Sequence, residues 1–95
     1  MLEVQKNLEK RRYEAQIGDQ VAFIDYIKAK DAIYLTHTEV PKQLEGQGIG
    51  FKLVENVLQI LKSKGEKLAP LCPFVAVYIK RNPEWKSILA RGYNV

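Results

Sequence analysis

Three alternating glycines are the most chemically informative feature of this sequence. Gly46, Gly48 and Gly50 follow a run of β-branched and aromatic residues and precede a stretch with helical hydrophobic spacing. Glycine lets the backbone adopt conformations closed to other residues, so that several N–H groups can point at one ligand. Joined by the free N–H groups and positive dipole end of a following helix, such a loop can hold a diphosphate without a basic side chain. The spacing therefore predicts a site for a phosphate-containing ligand.

Two common phosphate-binding loops do not fit this stretch. A P-loop requires Gly-Lys-Ser/Thr, and that tripeptide is absent from the sequence. A dinucleotide-binding fingerprint requires its third glycine one position later, where Phe51 stands, and an acidic residue about 20 residues further on in a βαβ unit. Neither interpretation explains the three glycines.

A histidine and a cysteine, each present once, could carry proton transfer or nucleophilic chemistry. An imidazole titrates close to neutral pH, so His37 is a candidate general base, although it could equally be a hydrogen-bonded structural residue. The Cys72 thiol could donate a proton, become acylated, or pack in the core as free cysteines commonly do. Tyr34 and Tyr78 could orient a substrate or protonate a leaving group, or could be half-buried packing residues.

The hydrophobic pattern predicts the elements that position these residues. Strand-like runs at 12–17, 21–28 and 33–40 are separated by turns at 18–19 and 30–31, which predicts an antiparallel meander. Side chains alternate between the two faces of a strand. In the third run this predicts one set, Ile33, Leu35 and His37, on one face and a second set, Tyr34, Thr36, Thr38 and Val40, on the other.

The second half of the chain is predicted to alternate helical and strand segments. Apolar residues recur at helical spacing from Gln47 until Gly65, a plausible helix stop. The segment 67–71 is typical of a short strand, and 74–80 fits either a helix opened by a proline or a strand. Pro83 fits the first turn of a last helix that holds Trp85, Ile88 and Leu89. The predicted fold class is α+β, as one domain over residues 1–95.

Composition limits the partners and the location. The net charge of +4 with 46% hydrophobic residues suits a packed globular domain, and the scattered basic residues favour an anionic small ligand over nucleic acid. The N-terminal segment lacks a signal-peptide pattern and no stretch could span a membrane, so we expect a reducing, cytoplasmic location. A single cysteine cannot form an intramolecular disulfide or a thiolate zinc site, and we expect no metal.

The glycine loop resembles the acetyl-CoA motif of the GNAT acetyltransferase superfamily, Arg/Gln-x-x-Gly-x-Gly/Ala. Two registers fit: Gln43, Gly46 and Gly48, or Glu45, Gly48 and Gly50. The second register is preferred because it also matches the paired apolar residues that follow the family's last glycine. It places an acid where the family has arginine or glutamine, which is unfavourable beside a diphosphate unless the side chain points away.

The resemblance extends along most of the chain. The segments HTEVP at 37–41 and PLCPFVAVYIKRNPEW at 70–85 are similar to the smallest stand-alone GNAT-like subfamily, with Asn82 in place of its usual histidine. This resemblance implies a minimal GNAT-like fold in which an antiparallel meander leads into strand, glycine loop, helix and strand, with one or two C-terminal helices.

The resemblance also implies a cofactor site and a reaction. The implied acetyl-CoA contacts are Thr38, Glu39 and Val40 for the pantetheine arm and Gly46, Gln47, Gly48, Ile49, Gly50 and Phe51 for the diphosphate. The implied catalytic candidates are His37, Cys72 and Tyr34. The implied reaction moves an acetyl group from acetyl-CoA to an unidentified amine, either a small molecule or a protein side chain. A non-catalytic acyl-CoA-binding or sensing module is the alternative.

Overall fold

An antiparallel meander continues into one parallel strand. The computed structural model describes residues 2–95, which form a five-stranded sheet in chain order. Its strands are β1 (Val4–Asn7), β2 (Arg12–Ile17), β3 (Gln20–Lys28), β4 (Ile33–Glu39) and β5 (Leu68–Pro70). The first four strands pair antiparallel, whereas β5 pairs parallel to β4. The crossover between β4 and β5 contains the glycine loop.

Helices cover one face of the sheet. Helix α1 spans Ile49–Ser63 and helix α2 spans Pro73–Arg81, while 3-10 segments occupy Lys42–Leu44 and Pro83–Ile88. The predicted apolar stripe of α1 is confirmed, because its members are fully buried: Leu53, Val54, Val57, Leu58 and Leu61. They pack in one cluster with side chains of the facing strands, Tyr13, Ala15, Ala22, Ile24 and Leu35. Fully burying each such leucine or isoleucine contributes roughly 1.5–3 kcal/mol.

A β-bulge in β4 decides which side chains face the helices. Asp25 lies opposite His37, while the next residue, Tyr26, lies opposite Leu35, so Thr36 is the extra residue between the two pairs. An extra residue switches the alternation of every side chain beyond it.

Because of the bulge, the predicted assignment of side chains to the two faces of the sheet is wrong beyond Thr36. Thr38 lies opposite Ile24 and therefore shares the helix-covered face with Leu35. His37 and Glu39 lie instead on the other face, which we call the open face, together with Tyr34. Hydrophobic alternation could not reveal this because both Thr36 and Thr38 are polar.

The other differences concern weakly patterned segments. The sequence VQKN at Val4–Asn7 forms β1 although its pattern gave no strand signal. The ambiguous segment 74–80 lies in helix α2, where Pro73 occupies the first turn. The last predicted helix is a 3-10 segment that ends at Ile88, and Leu89 forms a parallel bridge with Leu68. The α+β class is confirmed.

The helices are too short or too polar to cross a bilayer, as far as residues 2–95 show.

Candidate functional site

Strands β4 and β5 separate halfway along β4. Their last pair joins Leu35 to Pro70, after which the Cys72 N–H donates to the Leu35 carbonyl at 2.8 Å and α2 begins. β4 continues to Glu39 while the chain after β5 turns into the helix. The backbone of residues 37–40 is thus left free of a neighbouring strand on its β5 side, within the described part of the chain.

A cleft opens where the two strands separate. It has a volume of about 450 Å³ and is bounded by the end of β4, the glycine loop and the starts of both helices. We call it the glycine-loop cleft, and its lining residues are Thr38, Glu39, Val40, Glu45, Gly46, Gly48, Phe51 and Phe74.

Two glycines of the loop adopt backbone conformations that other residues rarely adopt. Gly46 has φ +82° and Gly48 has φ +73°, both in the left-handed region. A Cβ added at either position would meet no heavy atom within 4 Å, so the space in front of them is open. The two glycines are therefore required by backbone conformation and leave room for a ligand beside the main chain.

The loop ends at the N-terminus of α1. Gly48 is the N-cap residue, and its carbonyl accepts the first helical bond from the Lys52 N–H at 3.1 Å. The first N–H groups of a helix have no intrahelical acceptor, and no side chain among residues 2–95 caps those of α1. The first turn of α1 also contains no acidic residue that would compete for these donors. Such an uncapped N-terminus presents bare N–H groups and a positive dipole end to an anion.

Gly50 has a different role from the other two glycines. Its backbone is helical, and a Cβ there would lie 2.6 Å from Cζ of Phe74 and 3.4 Å from Cγ2 of Val40. The missing side chain lets α1 approach both α2 and the end of β4. The rings of Phe51 and Phe74 then pack with centroids 4.9 Å apart and form an aromatic wall of the cleft.

The single cysteine lies beside this cleft on the helix-covered face. Cys72 is the N-cap residue of α2, is 4% exposed, and its Sγ is 3.3 Å from Oγ1 of Thr38. Either atom can donate this hydrogen bond. The contact connects β4 to α2 across the point where the strands separate.

The single histidine lies on the open face. Nε2 of His37 is 2.9 Å from Oε1 of Glu39, and both side chains are more than half exposed. The ring of Phe23 packs 6.3 Å from the imidazole. The Arg12 guanidinium also lies over the Phe23 ring and bonds to Glu14, which lowers the pKa of that carboxyl.

Comparison with known proteins agrees with this geometry. A family model described as GCN5-related N-acetyl-transferase matches residues 12–88, which include β2 to the second 3-10 segment.

This chain belongs to the GCN5-related N-acetyltransferase family.

A solved structure similar to this family member has the same fold. It is the NMR solution structure of a GCN5-like protein from Staphylococcus aureus, itself a proposed N-acetyltransferase, with 22% sequence identity and a TM-score of 0.70. The similarity covers 93% of this chain and 87% of the other. A search of curated proteins finds no significant match.

The structure brings most of the predicted coenzyme contacts of this acetyltransferase-family chain into one place. Six of them line the glycine-loop cleft: Thr38, Glu39, Val40, Gly46, Gly48 and Phe51. Gln47, Ile49 and Gly50 lie in the same loop and helix start without lining it. Glu45 and Phe74 line the cleft as well, although the sequence gave no reason to include Phe74 beyond its position after the Cys-Pro pair.

The two tyrosine candidates do not join this cleft. Tyr34 lines a different cleft, next to Tyr93. Tyr78 is buried between the helices, with its ring 5.4 Å from that of Phe51 and its hydroxyl 3.5 Å from Glu55. Burial, followed by the nearby Glu55 carboxylate, raises the pKa of Tyr78.

Proposed function

We propose that this protein is an acetyl-CoA-dependent N-acetyltransferase that moves the acetyl group to an amine by direct attack. The observation that carries the proposal is the glycine-loop cleft, where an uncapped helix N-terminus meets a strand end without a neighbour. Membership of the GCN5-related N-acetyltransferase family supports the same chemistry.

The residues of the cleft suit the parts of coenzyme A. The N–H groups of residues 46–51 would hold the diphosphate, since the positive-φ glycines keep side chains out of the way. The backbone of Thr38, Glu39 and Val40 would pair with the amides of the pantetheine arm, as an added strand pairs with a sheet edge. Acetyl-CoA supplies the activated acyl thioester, and no metal is needed for this binding mode.

His37 is the proposed general base. The Glu39 carboxylate accepts a hydrogen bond from Nε2 of His37, so the imidazole proton lies on Nε2. The lone pair of Nδ1 is then free to take a proton from the attacking amine. Its exposure on the open face means that an acceptor can reach it without rearrangement of the core. Glu39 also stabilises the imidazolium once the proton has moved.

Cys72 is the proposed proton donor to the departing thiolate of coenzyme A. It lies on the helix-covered face of the sheet, whereas His37 lies on the open face, because the bulge at Thr36 turns Thr38 towards the helices and His37 away from them. A base on one face of β4 can take the proton of the attacking amine while a thiol against the other face gives a proton to the leaving group. The Thr38 hydroxyl holds the Cys72 thiol in place at 3.3 Å.

A non-catalytic acyl-CoA-binding module is the second candidate. It is favoured by Glu45, which lines the cleft and adds negative charge near the proposed diphosphate site. It is also favoured by the open face, where no helix among the described residues forms an acceptor pocket beside His37.

One experiment separates the two candidates. The protein is incubated with acetyl-CoA and a panel of primary amines while free thiol is measured, and a labelled sample is titrated with acetyl-CoA to follow its backbone amides. Amine-dependent thiol release with shifts in residues 46–51 supports the transferase. Shifts without thiol release with any amine support the binding module, and unshifted amides in the loop contradict both.

A further inference from the structure

A second cleft lies at the β3–β4 turn, at the opposite end of β4 from the glycine loop. It has a volume of about 780 Å³ and is formed by the turn, the residue before β5 and the segment after the second 3-10 helix. We call it the turn cleft. The side chains that matter for its chemistry are Lys30, Asp31, Tyr34, Lys67, Arg91 and Tyr93.

Two aromatic rings form the wall of the turn cleft. Tyr34 and Tyr93 have ring centroids 6.3 Å apart at an interplanar angle of 54°. Hydrogen bonding to the adjacent Tyr34 raises the pKa of Tyr93. The buried alanines Ala32 and Ala90 also line the cleft with small side chains. This wall suits a flat or apolar group.

The charge of the turn cleft is positive. Lys30, Lys67 and Arg91 line it against the single carboxylate of Asp31, among the residues described. The Nζ of Lys67 donates a 3.1 Å hydrogen bond to the Ser87 carbonyl. The lining of the glycine-loop cleft, by contrast, contains two acids and no basic side chain among the described residues, so only the turn cleft offers cationic side chains to an anion.

The turn cleft adjoins the proposed reaction centre on the open face. Tyr34 precedes Leu35, the last residue of β4 that pairs with β5. Its side chain lies on the same face as that of His37, three residues further along β4. At a rise of about 3.3 Å per residue, the two Cα atoms are separated by roughly 10 Å or less. A small molecule can therefore place one end in the turn cleft and the other beside the imidazole.

We propose that the turn cleft binds the anionic end of the acceptor, so that the acceptor is an amine that also carries a carboxylate or phosphate group. This inference rests on the proposed acetyltransferase function. The tyrosine pair would hold the middle of the acceptor, and Lys67 and Arg91 would bind its anion. The amine would then lie beside His37.

The test uses three amines that differ only at the end remote from the nucleophile. They are 4-(aminomethyl)benzoate, benzylamine and 4-(aminomethyl)benzylamine, with a negative, absent and positive charge respectively. For each amine, kcat/KM is measured by thiol release from acetyl-CoA, and amide shifts are recorded on the labelled protein without coenzyme. The variants Lys67→Gln and Arg91→Gln remove a positive charge from the turn cleft. Lys10→Gln makes the same change in the β1–β2 turn and serves as the matched control.

The expected result is a preference for the benzoate of about fivefold, the upper range for an exposed ion pair. Its amide shifts should fall in residues 30–32 and 89–93, and the preference should disappear in Arg91→Gln but persist in Lys10→Gln. Equal kcat/KM for the three amines would overturn this inference while leaving the acetyltransferase intact. Selective binding of the benzoate without thiol release from any amine would instead contradict the acetyltransferase, and with it the acceptor role of the cleft.

Discussion

The Thr38 hydroxyl and the Cys72 thiol lie 3.3 Å apart and join the end of β4 to the first turn of α2. The contact exists because the bulge at Thr36 turns Thr38 towards the helices. Without the bulge, His37 would face the helices and Thr38 would face solvent. The same irregularity therefore places the proposed base on one face and the proposed proton donor on the other.

The variant Cys72→Ala tests the role of the thiol. If the thiol supplies a proton to the leaving group, kcat should fall by at least about tenfold while the Kd for acetyl-CoA changes less than about twofold. Both values can be measured by thiol release and calorimetry. Thr38→Val, which keeps the shape of the side chain but removes the hydroxyl, should give a smaller decrease in kcat. Equal losses of binding and turnover in Cys72→Ala would show that the cysteine acts through packing.

The variant His37→Gln tests the proposed base. General base catalysis contributes typically about 100-fold or more, so kcat should fall on this scale with little change in coenzyme binding. A variant that keeps the wild-type kcat, measured by thiol release, would exclude His37 as the base.

The sequence predicted the elements with strong periodicity and missed those without it. The stripe of α1 recurs at helical spacing and was placed correctly, and the glycines marked the loop because few residues tolerate positive φ. Strand β1 has one apolar residue in four, so its place in the sheet depends on pairing with β2. The sequence of α2 is rich in β-branched residues, and its helical state is decided by Pro73 and by burial against the core.

The part of the candidate site that the glycine backbone defines was predictable from the sequence. The part that depends on the pairing register of β3 and β4 was not. Six of the coenzyme contacts that the family resemblance implied share one cleft. The bulge at Thr36 lies among polar residues, where a shift of one position leaves no trace in the hydrophobic pattern. The turn cleft could not be foreseen because residues far apart in sequence form it, Tyr34 and Tyr93 among them.

The buried Tyr13 should make the fold sensitive to alkaline pH. Burial, with smaller contributions from Tyr26 and Glu66, raises the pKa of Tyr13 to about 12. The folded state thus favours the neutral phenol, so this stabilisation is complete below the unfolded-state pKa of about 10 and is lost as the pH rises towards 12. The free energy of unfolding, measured in urea, should decrease over this window. Tyr13→Phe should decrease less steeply, and identical slopes for the two proteins would contradict the assignment.

Removal of the Glu45 charge should tighten coenzyme binding. Its side chain lines the glycine-loop cleft, and the proposed ligand carries several negative charges. Glu45→Gln should lower the Kd for acetyl-CoA by about two- to fivefold at low salt, with a smaller gain at high salt. Glu9→Gln in the exposed β1–β2 turn makes the same charge change away from the cleft and should have less effect. An unchanged Kd in Glu45→Gln would place the carboxylate away from the phosphates.

Gly48 offers a direct test of the loop because the chain contains a matched control. Gly48 and Gly65 have φ values of +73° and +70°, and a Cβ at either would meet no heavy atom within 4 Å. Alanine at either position should therefore cost about 1–2 kcal/mol of stability through left-handed strain. Only Gly48→Ala places a methyl group in front of the proposed diphosphate site, since Gly65 follows the C-terminus of α1.

The two variants should lose similar stability in urea unfolding but differ in coenzyme affinity. We expect Gly48→Ala to weaken acetyl-CoA binding by roughly tenfold or more, because one added methyl group blocks close approach to the backbone N–H donors. Gly65→Ala should bind as tightly as the wild type once the folded fraction is taken into account. If Gly48→Ala binds acetyl-CoA as well as Gly65→Ala does, the ligand does not contact the loop backbone.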